Sequence, residues 1–150
     1  MHQSGVVMNT WKPTISVIFI IAFVLFYTTR QSQKTTSQQE VLSNGAIVNI
    51  KVPDQLSQTA LLGEGLYNVN CASCHGDNAV GQEGVAPPLV HIIYEPNHHG
   101  DESFQRAVAM GVRAHHWRFG NMPAVEGLNR VDVKNIITYV RELQRENGIL

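Results

Sequence analysis

Both cysteines of this 150-residue chain fall in one pentapeptide, Cys71-Ala72-Ser73-Cys74-His75. No other stretch limits the fold as tightly. If both thiols are used here, no disulfide can staple the chain elsewhere, and no cysteine remains for a lipid anchor. The C-x-x-C spacing alone also fits a redox pair or half of a zinc site. The zinc reading needs further Cys or His ligands at suitable spacing, and there is no third cysteine. The redox reading needs a βαβ context, which the surrounding pattern lacks. A histidine directly after the second thiol is the spacing used for covalent attachment of c-type haem. Each thiol adds to one vinyl group, and a short helical turn brings both sulfurs to one porphyrin edge. His75 is then the candidate proximal iron ligand. Such attachment is normally made outside the bacterial cytoplasm, so the motif implies export.

An export route is written near the N-terminus. Residues 1–12 form a short polar tail. From Ile15 to Tyr27 the chain is apolar except for Ser16, and residues 13–29 give 17 positions, the low edge of a bilayer span. Trp11 and Tyr27 stand near its ends, where amphipathic aromatics favour headgroups. A cleaved signal peptide is the competing reading, but Thr28-Thr29-Arg30-Gln31-Ser32 offers no small-x-small site. The expectation is therefore an uncleaved transmembrane anchor in the bacterial inner membrane. The remainder would lie in the periplasm. Residues 30–56 read as a tether, polar through Glu40. A short extended segment or hairpin around Ser43-Asn44-Gly45 follows, closed by Pro53.

Residues 57–150 carry the pattern of a helical domain. A helix is predicted from about Ser57, as N-cap, into the haem motif. Leu61, Leu62, Leu66, Tyr67 and Val69 supply its apolar face. Gly63 and Gly65 are poor helix formers, which close helix-to-helix approach would explain. Gly76 can end the haem turn with positive φ. A second helix is expected over 102–111 with Asp101 as N-cap. The last runs from about Arg130 or Asp132 to Asn147, with Val133, Ile136, Ile137, Val140 and Leu143 as its stripe and Gly148 as its stop. Three helices joined by long loops cannot build a large conventional core, whereas a flat apolar prosthetic group would complete one. The net charge of −1 gives no reason to expect a nucleic acid partner.

Over residues 57–147 the chain resembles a class I cytochrome c. The resemblance rests on Gly63 eight positions before Cys71, Tyr67 four before it, Pro87 twelve after His75, and Leu89 two further on. It also rests on Met122-Pro123 ahead of the last helix, and on Ile136 and Tyr139 within that helix. It implies an all-α class I cytochrome c fold. N- and C-terminal helices cross at Gly63, one helix lies between them, and long loops surround haem; the apolar run over residues 13–29 adds one transmembrane helix before the domain. It implies that the Pro87 carbonyl accepts the Nδ1–H of His75, that Leu89 covers the proximal haem face, and that Tyr67 lies in the pocket. Ala86 stands where the family usually has glycine. The distal ligand it implies is Met122, with His115 or His116 as the rival.

With His75 and Met122 on the two faces, the iron is left to exchange single electrons. The expected role is a non-catalytic electron carrier holding one covalent haem c, passing electrons between membrane or periplasmic redox proteins of a respiratory chain. The alternatives are an electron-transfer subunit of a dehydrogenase or oxidase complex, and a redox- or copper-sensing or handling protein. A peroxidase would need an open or displaceable distal site. The mildly acidic domain lacks a lysine-rich docking ring, so strong steering toward an acidic partner is not expected.

Two groups of residues remain. Arg113, Trp117 and Arg118 are good donors for haem propionates. His91, His98, His99, His115 and His116 fall within 26 residues. The pairs His98-His99 and His115-His116 are candidates for an accessory copper or other metal. Neighbouring side chains usually diverge, which argues against either pair acting as a two-toothed ligand.

Overall fold

The computed structural model describes residues 20, 21, 23–26 and 45–150. The chain divides into two units, residues 1–40 and 41–150. In the first, residues 20, 21 and 23–26 are helical. Among the described residues no helix is long and apolar enough to cross a membrane. The tail over 1–12, most of the expected anchor over 13–29 and the polar tether through residue 44 lie outside the described residues.

The second unit is helical. Helix α1 spans Gln58–Asn70, α2 Ala72–His75, α3 Asp101–Met110 and α4 Arg130–Glu146, with 3₁₀ turns at Asp77–Ala79 and Ile92–Tyr94. Two isolated antiparallel bridges, Gln82 with Ala86 and Val112 with Met122, are the β pairings among the described residues. Ser57 caps α1 through its Oγ, which accepts from Ala60 N–H at 3.2 Å. The same hydroxyl donates to Glu142 Oε1 at 2.7 Å, so the cap also ties α1 to α4. Asn129 caps α4 in a reciprocal box with Asp132.

The α1–α4 crossing organises the core. A Cβ on Gly63 would fall inside the carbonyl of Asn135, so only glycine lets the two backbones come this close. Ala60, Tyr67, Ile136, Tyr139, Val140 and Leu143 fill the crossing together with Ala79 and Val90. The Tyr67 and Tyr139 rings lie 5.5 Å apart, tilted by 55°. Burying each large apolar side chain contributes about 1.5–3 kcal/mol, so the α4 stripe is the main source of cohesion.

Three expectations need correction. Leu61, Leu62 and Val69 are exposed, Leu62 by 64%. The buried face of α1 is Ala60, Gly63 and Tyr67, because the close crossing selects small residues beside one large ring. Gly65 meets nothing, so close approach does not explain it. Helix α3 starts one residue earlier than expected: Gly100 is its cap, and Asp101 lies in its first turn.

Residues 45–56 are not a free tether. Ile47 and Val48 both donate N–H to Val80 O at 3.2 Å. Lys51 N donates to Asn147 Oδ1 and Lys51 O accepts from Asn147 Nδ2, each at 2.7 Å. Ile50 and Leu56 pack against the core. From residue 45 onward the segment lies on the domain; the first arm of the alternative hairpin, Val41-Leu42, falls outside the described residues.

A buried polar group on α4 holds the long loop before α3. Arg141 donates to Asp101 Oδ1 at 3.0 Å and to the Tyr94 and His99 carbonyls at 2.6 Å each. Gln144 Oε1 takes another Arg141 N–H at 2.6 Å, and Gln144 Nε2 reaches Leu89 O at 2.8 Å. Buried polar atoms need such partners; here they fasten the loop to the rigid helix.

Candidate haem site

The pentapeptide sits where α1 ends. Cys71 leaves helical geometry at φ −125°, and its N–H still reaches Tyr67 O at 2.8 Å. A new turn starts at once: His75 N–H donates to Cys71 O at 2.9 Å. Both thiols are free and share that turn, Cys71 half-buried and Cys74 exposed. Gly76 stops the turn at φ +74°, and a side chain there would meet Gly81 O at 2.6 Å. Tyr67 Oη donates to Gly76 O at 2.8 Å, so the ring at the helix crossing also fixes the end of the haem turn.

His75 is buried, and its Nδ1 lies 2.9 Å from Pro87 O. A carbonyl can only accept, so the proton is on Nδ1 and Nε2 keeps its lone pair. Burial lowers the basicity of His75, against the opposing pull of the Pro87 carbonyl. Burial, and then the neighbouring Cys74, pushes the Cys71 thiol up to about 11. The Tyr67 and Tyr139 hydroxyls are also raised, first by burial, and stay neutral.

The Pro87 carbonyl is placed by a tight set of backbone bonds. Gln82 and Ala86 exchange N–H···O bonds of 2.9 and 3.1 Å, and Leu89 and Val90 both donate to Ala79 O. Asn78 and Ala79 take positive φ, 54° and 61°, which costs about 1–2 kcal/mol for a residue with a Cβ. The Tyr139 hydroxyl, donating to Asn78 Oδ1 at 3.0 Å, holds this strained pair. Sequence reasoning passed over Asn78 and Ala79: asparagine tolerates positive φ better than most residues, but alanine gives no such signal. Leu89 is half-buried against the core.

Met122 stands in the second long loop. Val112 N–H reaches Met122 O at 2.9 Å and Met122 N–H reaches Val112 O at 3.0 Å. Gly111, at φ +75°, ends α3 beneath it; a Cβ there would lie 2.5 Å from Met122 O. Ala114 N–H donates to Asn121 Oδ1 at 2.9 Å, closing the excursion between the bridge residues. Met122 is half-buried.

Of the three donors expected near the propionates, Arg113 and Arg118 are exposed. Trp117 is half-buried, and its Nε1 is the one buried side-chain polar atom without a hydrogen-bond partner among the described residues. Its ring stacks on Phe119 at 5.9 Å and meets His91 edge-on at 5.1 Å. Burial pushes the nearby Tyr94 hydroxyl up to about 12, with the Trp117 indole pulling it back in part. An orphaned indole N–H suits an anionic acceptor.

The four paired histidines come together from the two loops. His98 and His99 have rings 4.6 Å apart, and His116 lies 5.2 and 5.3 Å from them. His115 is 4.3 Å from His116. The expectation that neighbouring imidazoles diverge fails here. The N–H groups of His98 and His99 both reach Glu95 O, and that turn swings the two rings to one side. Desolvation, and then the three neighbouring imidazoles, lowers the basicity of His116.

These residues suit haem c: two free thiols in one turn, a buried imidazole with its lone pair directed by a carbonyl, and an unpartnered donor for a carboxylate. Residues 60–144 match the family described as Cytochrome c. The chain is also 34% identical over 79 residues to the Cbb3-type cytochrome c oxidase subunit CcoP of Helicobacter pylori, in the versions from two strains. That similarity spans 53% of this chain and 25% of the relative's own length. With more than half of the chain inside the family match, and with a helix crossing and haem turn built as described, this protein belongs to the cytochrome c family, class I, and its prosthetic group is covalent haem c.

Proposed function

We propose that this protein is a one-electron carrier in which Cys71 and Cys74 form the haem thioethers, His75 is the proximal ligand and Met122 the distal one. The observation that carries the reading is the 2.9 Å pairing of His75 Nδ1 with Pro87 O in the same turn as two free thiols. When bound, haem c supplies a reversible one-electron couple at iron. The Pro87 carbonyl orients the imidazole and makes it a stronger donor, as outer partners of metal-bound histidines do. The Val112–Met122 bridge holds the thioether in place. Trp117 donates to a propionate. Were His75 and Met122 both to hold the iron, no position would be left for a substrate, so the role is transport of charge and not catalysis.

Residues 13–29 serve as the anchor in the bacterial inner membrane, with the haem domain on the periplasmic side and redox proteins as donor and acceptor. The likeness to CcoP, a cytochrome c oxidase subunit, favours a second reading: an electron-transfer subunit of a terminal oxidase. A free carrier purifies alone, whereas a subunit stays with its enzyme through mild detergent extraction. The central test is a pair of visible spectra, oxidised and reduced, with a pyridine haemochrome assay and exposure of the reduced protein to carbon monoxide. The reading expects non-extractable haem and no rapid CO binding. Extractable haem, or fast CO binding, refutes it.

A further inference from the structure

The cluster between the two long loops is a second candidate site, independent of the haem reading. His98, His99 and His116 each offer one ring nitrogen, and these three atoms all lie within 4.8 Å of one another. In a tetrahedral zinc or copper site, metal–nitrogen distances of about 2.0–2.1 Å place ligand nitrogens roughly 3.3 Å apart. His98 and His116 are exposed, so rotation of their rings closes the remaining gap without moving the backbone.

One ligand is already oriented. His99 Nδ1–H donates to Ile93 O at 2.6 Å, which leaves Nε2 as the free lone pair. This is the outer bond that metal-bound histidines make to fix tautomer and ring direction. The backbone of the same residue is held from behind, since His99 O accepts from Arg141 Nη2 at 2.6 Å. Arg141 is thus a positioning residue for the cluster. His115 repeats the arrangement next door: its Nδ1–H donates to Arg113 O at 2.9 Å, and its ring stacks on His99 at 6.1 Å. No carboxylate belongs to the three-atom set. Neutral imidazoles without carboxylates favour late first-row ions over magnesium or calcium.

We propose that His98, His99 and His116 bind one copper or zinc ion, with a fourth coordination position left for water, His115 or an incoming ligand. Such an ion would join the loop before α3 to the loop that carries Met122. The proposal narrows the four candidate histidines to three, drawn from both loops.

The test uses the full-length haem-loaded protein in detergent, stripped with chelator and titrated calorimetrically with Cu(II), Zn(II) and, as a control of class, Mg(II). The expected result is one equivalent of Cu(II) or Zn(II) and no Mg(II). His98→Ala and His116→Ala should each weaken binding by at least tenfold, the low end of what loss of an outer partner alone costs (about 10–100-fold). An unchanged haem spectrum shows that both variants are folded. His91→Asn, which keeps an acceptor for Ile93 N–H, should bind like the parent. In the parent protein, electron paramagnetic resonance of bound Cu(II) should show hyperfine coupling to at least two imidazole nitrogens, a readout that needs no variant. Substoichiometric binding, affinity in either alanine variant equal to the parent's, equal loss in His91→Asn, or a spectrum without nitrogen coupling overturns the proposal.

Discussion

Gly63 lies so close to the Asn135 carbonyl that any side chain would collide with backbone. Helix α1 cannot retreat without opening the Tyr67–Tyr139 contact. Gly63→Ala should therefore lower stability by about 1–3 kcal/mol, the usual range for overpacking. Gly65 is the internal control, since a Cβ there meets nothing. Gly65→Ala should be neutral or stabilising by up to about 1 kcal/mol through helix propensity. Denaturant midpoints of the two variants check this, and equal shifts would refute the crossing as the cause.

Arg141 is buried at 7% exposure while its partner Asp101 is 68% exposed on its side chain. The asymmetry separates two effects. Arg141→Met orphans the His99 carbonyl and Gln144 Oε1, while Tyr94 O keeps Gln144 Nε2 at 3.1 Å, and losing such partners costs about 1–3 kcal/mol for each group left buried. Asp101→Asn removes a charge that water already screens and should cost under about 1 kcal/mol. Chemical denaturation of both, with hydrogen exchange over residues 94–101, distinguishes them. Equal losses would mean that the ion pair, and not the carbonyl network, anchors the loop.

Replacing Met122 addresses the proposed axial ligand. Met122→His should lower the midpoint potential, because the thioether favours ferrous iron more than a second imidazole does. Met122→Ala should let the reduced protein bind carbon monoxide. Potentiometry and CO difference spectra provide the check; a potential that does not move excludes Met122 as ligand.

Trp117→Phe deletes a buried N–H that makes no well-formed hydrogen bond in the protein and has the Tyr94 hydroxyl nearby. If a propionate is its partner, the haem-loaded variant should lose about 1.5–3 kcal/mol, the range for hydrogen bonds to charged groups. A hydrogen bond to the ionised form lowers a carboxyl pKa, so the propionate inflection in the pH dependence of the potential should move upward. A variant unchanged in both respects would remove Trp117 from the haem site.

The Arg130 guanidinium donates to both carboxylate oxygens of Glu102, at 3.1 and 2.7 Å. These bonds hold the Glu102 carboxyl below its ordinary value of 4.5. The folded group is the stronger acid, so the pair stabilises the fold above that value and ceases to do so as pH falls through the folded value. Glu102→Gln should lower the melting temperature slightly at neutral pH and low salt. The difference should shrink in acid and in high salt, because both groups are exposed. A difference independent of pH would show that packing, not charge, is responsible.

How much of this could be read beforehand depended on which signal each element carries. Helix α4 was legible because Val133, Ile136, Ile137, Val140 and Leu143 repeat at helical spacing and are all buried. Helix α1 misled because leucines normally mark a core face, yet its contact face is set by Ala60 and Gly63. Arg141 and Gln144 carry no local signal for burial; it depends on loop carbonyls far away in sequence. The cysteines and His75 needed only local spacing. The histidine cluster joins two loops, and no local pattern shows that His98 and His116 meet.

Asn147 clasps Lys51 through both its amide oxygen and its amide nitrogen. That two-way grip makes the strand-like lead-in a structural wall of the domain, joined to the far end of the last helix. Anyone grafting this electron-carrying module onto another leader must begin the graft before Gly45. A fusion opening at Ser57 would strip the cover from Val80 O and leave the Asn147 amide facing solvent.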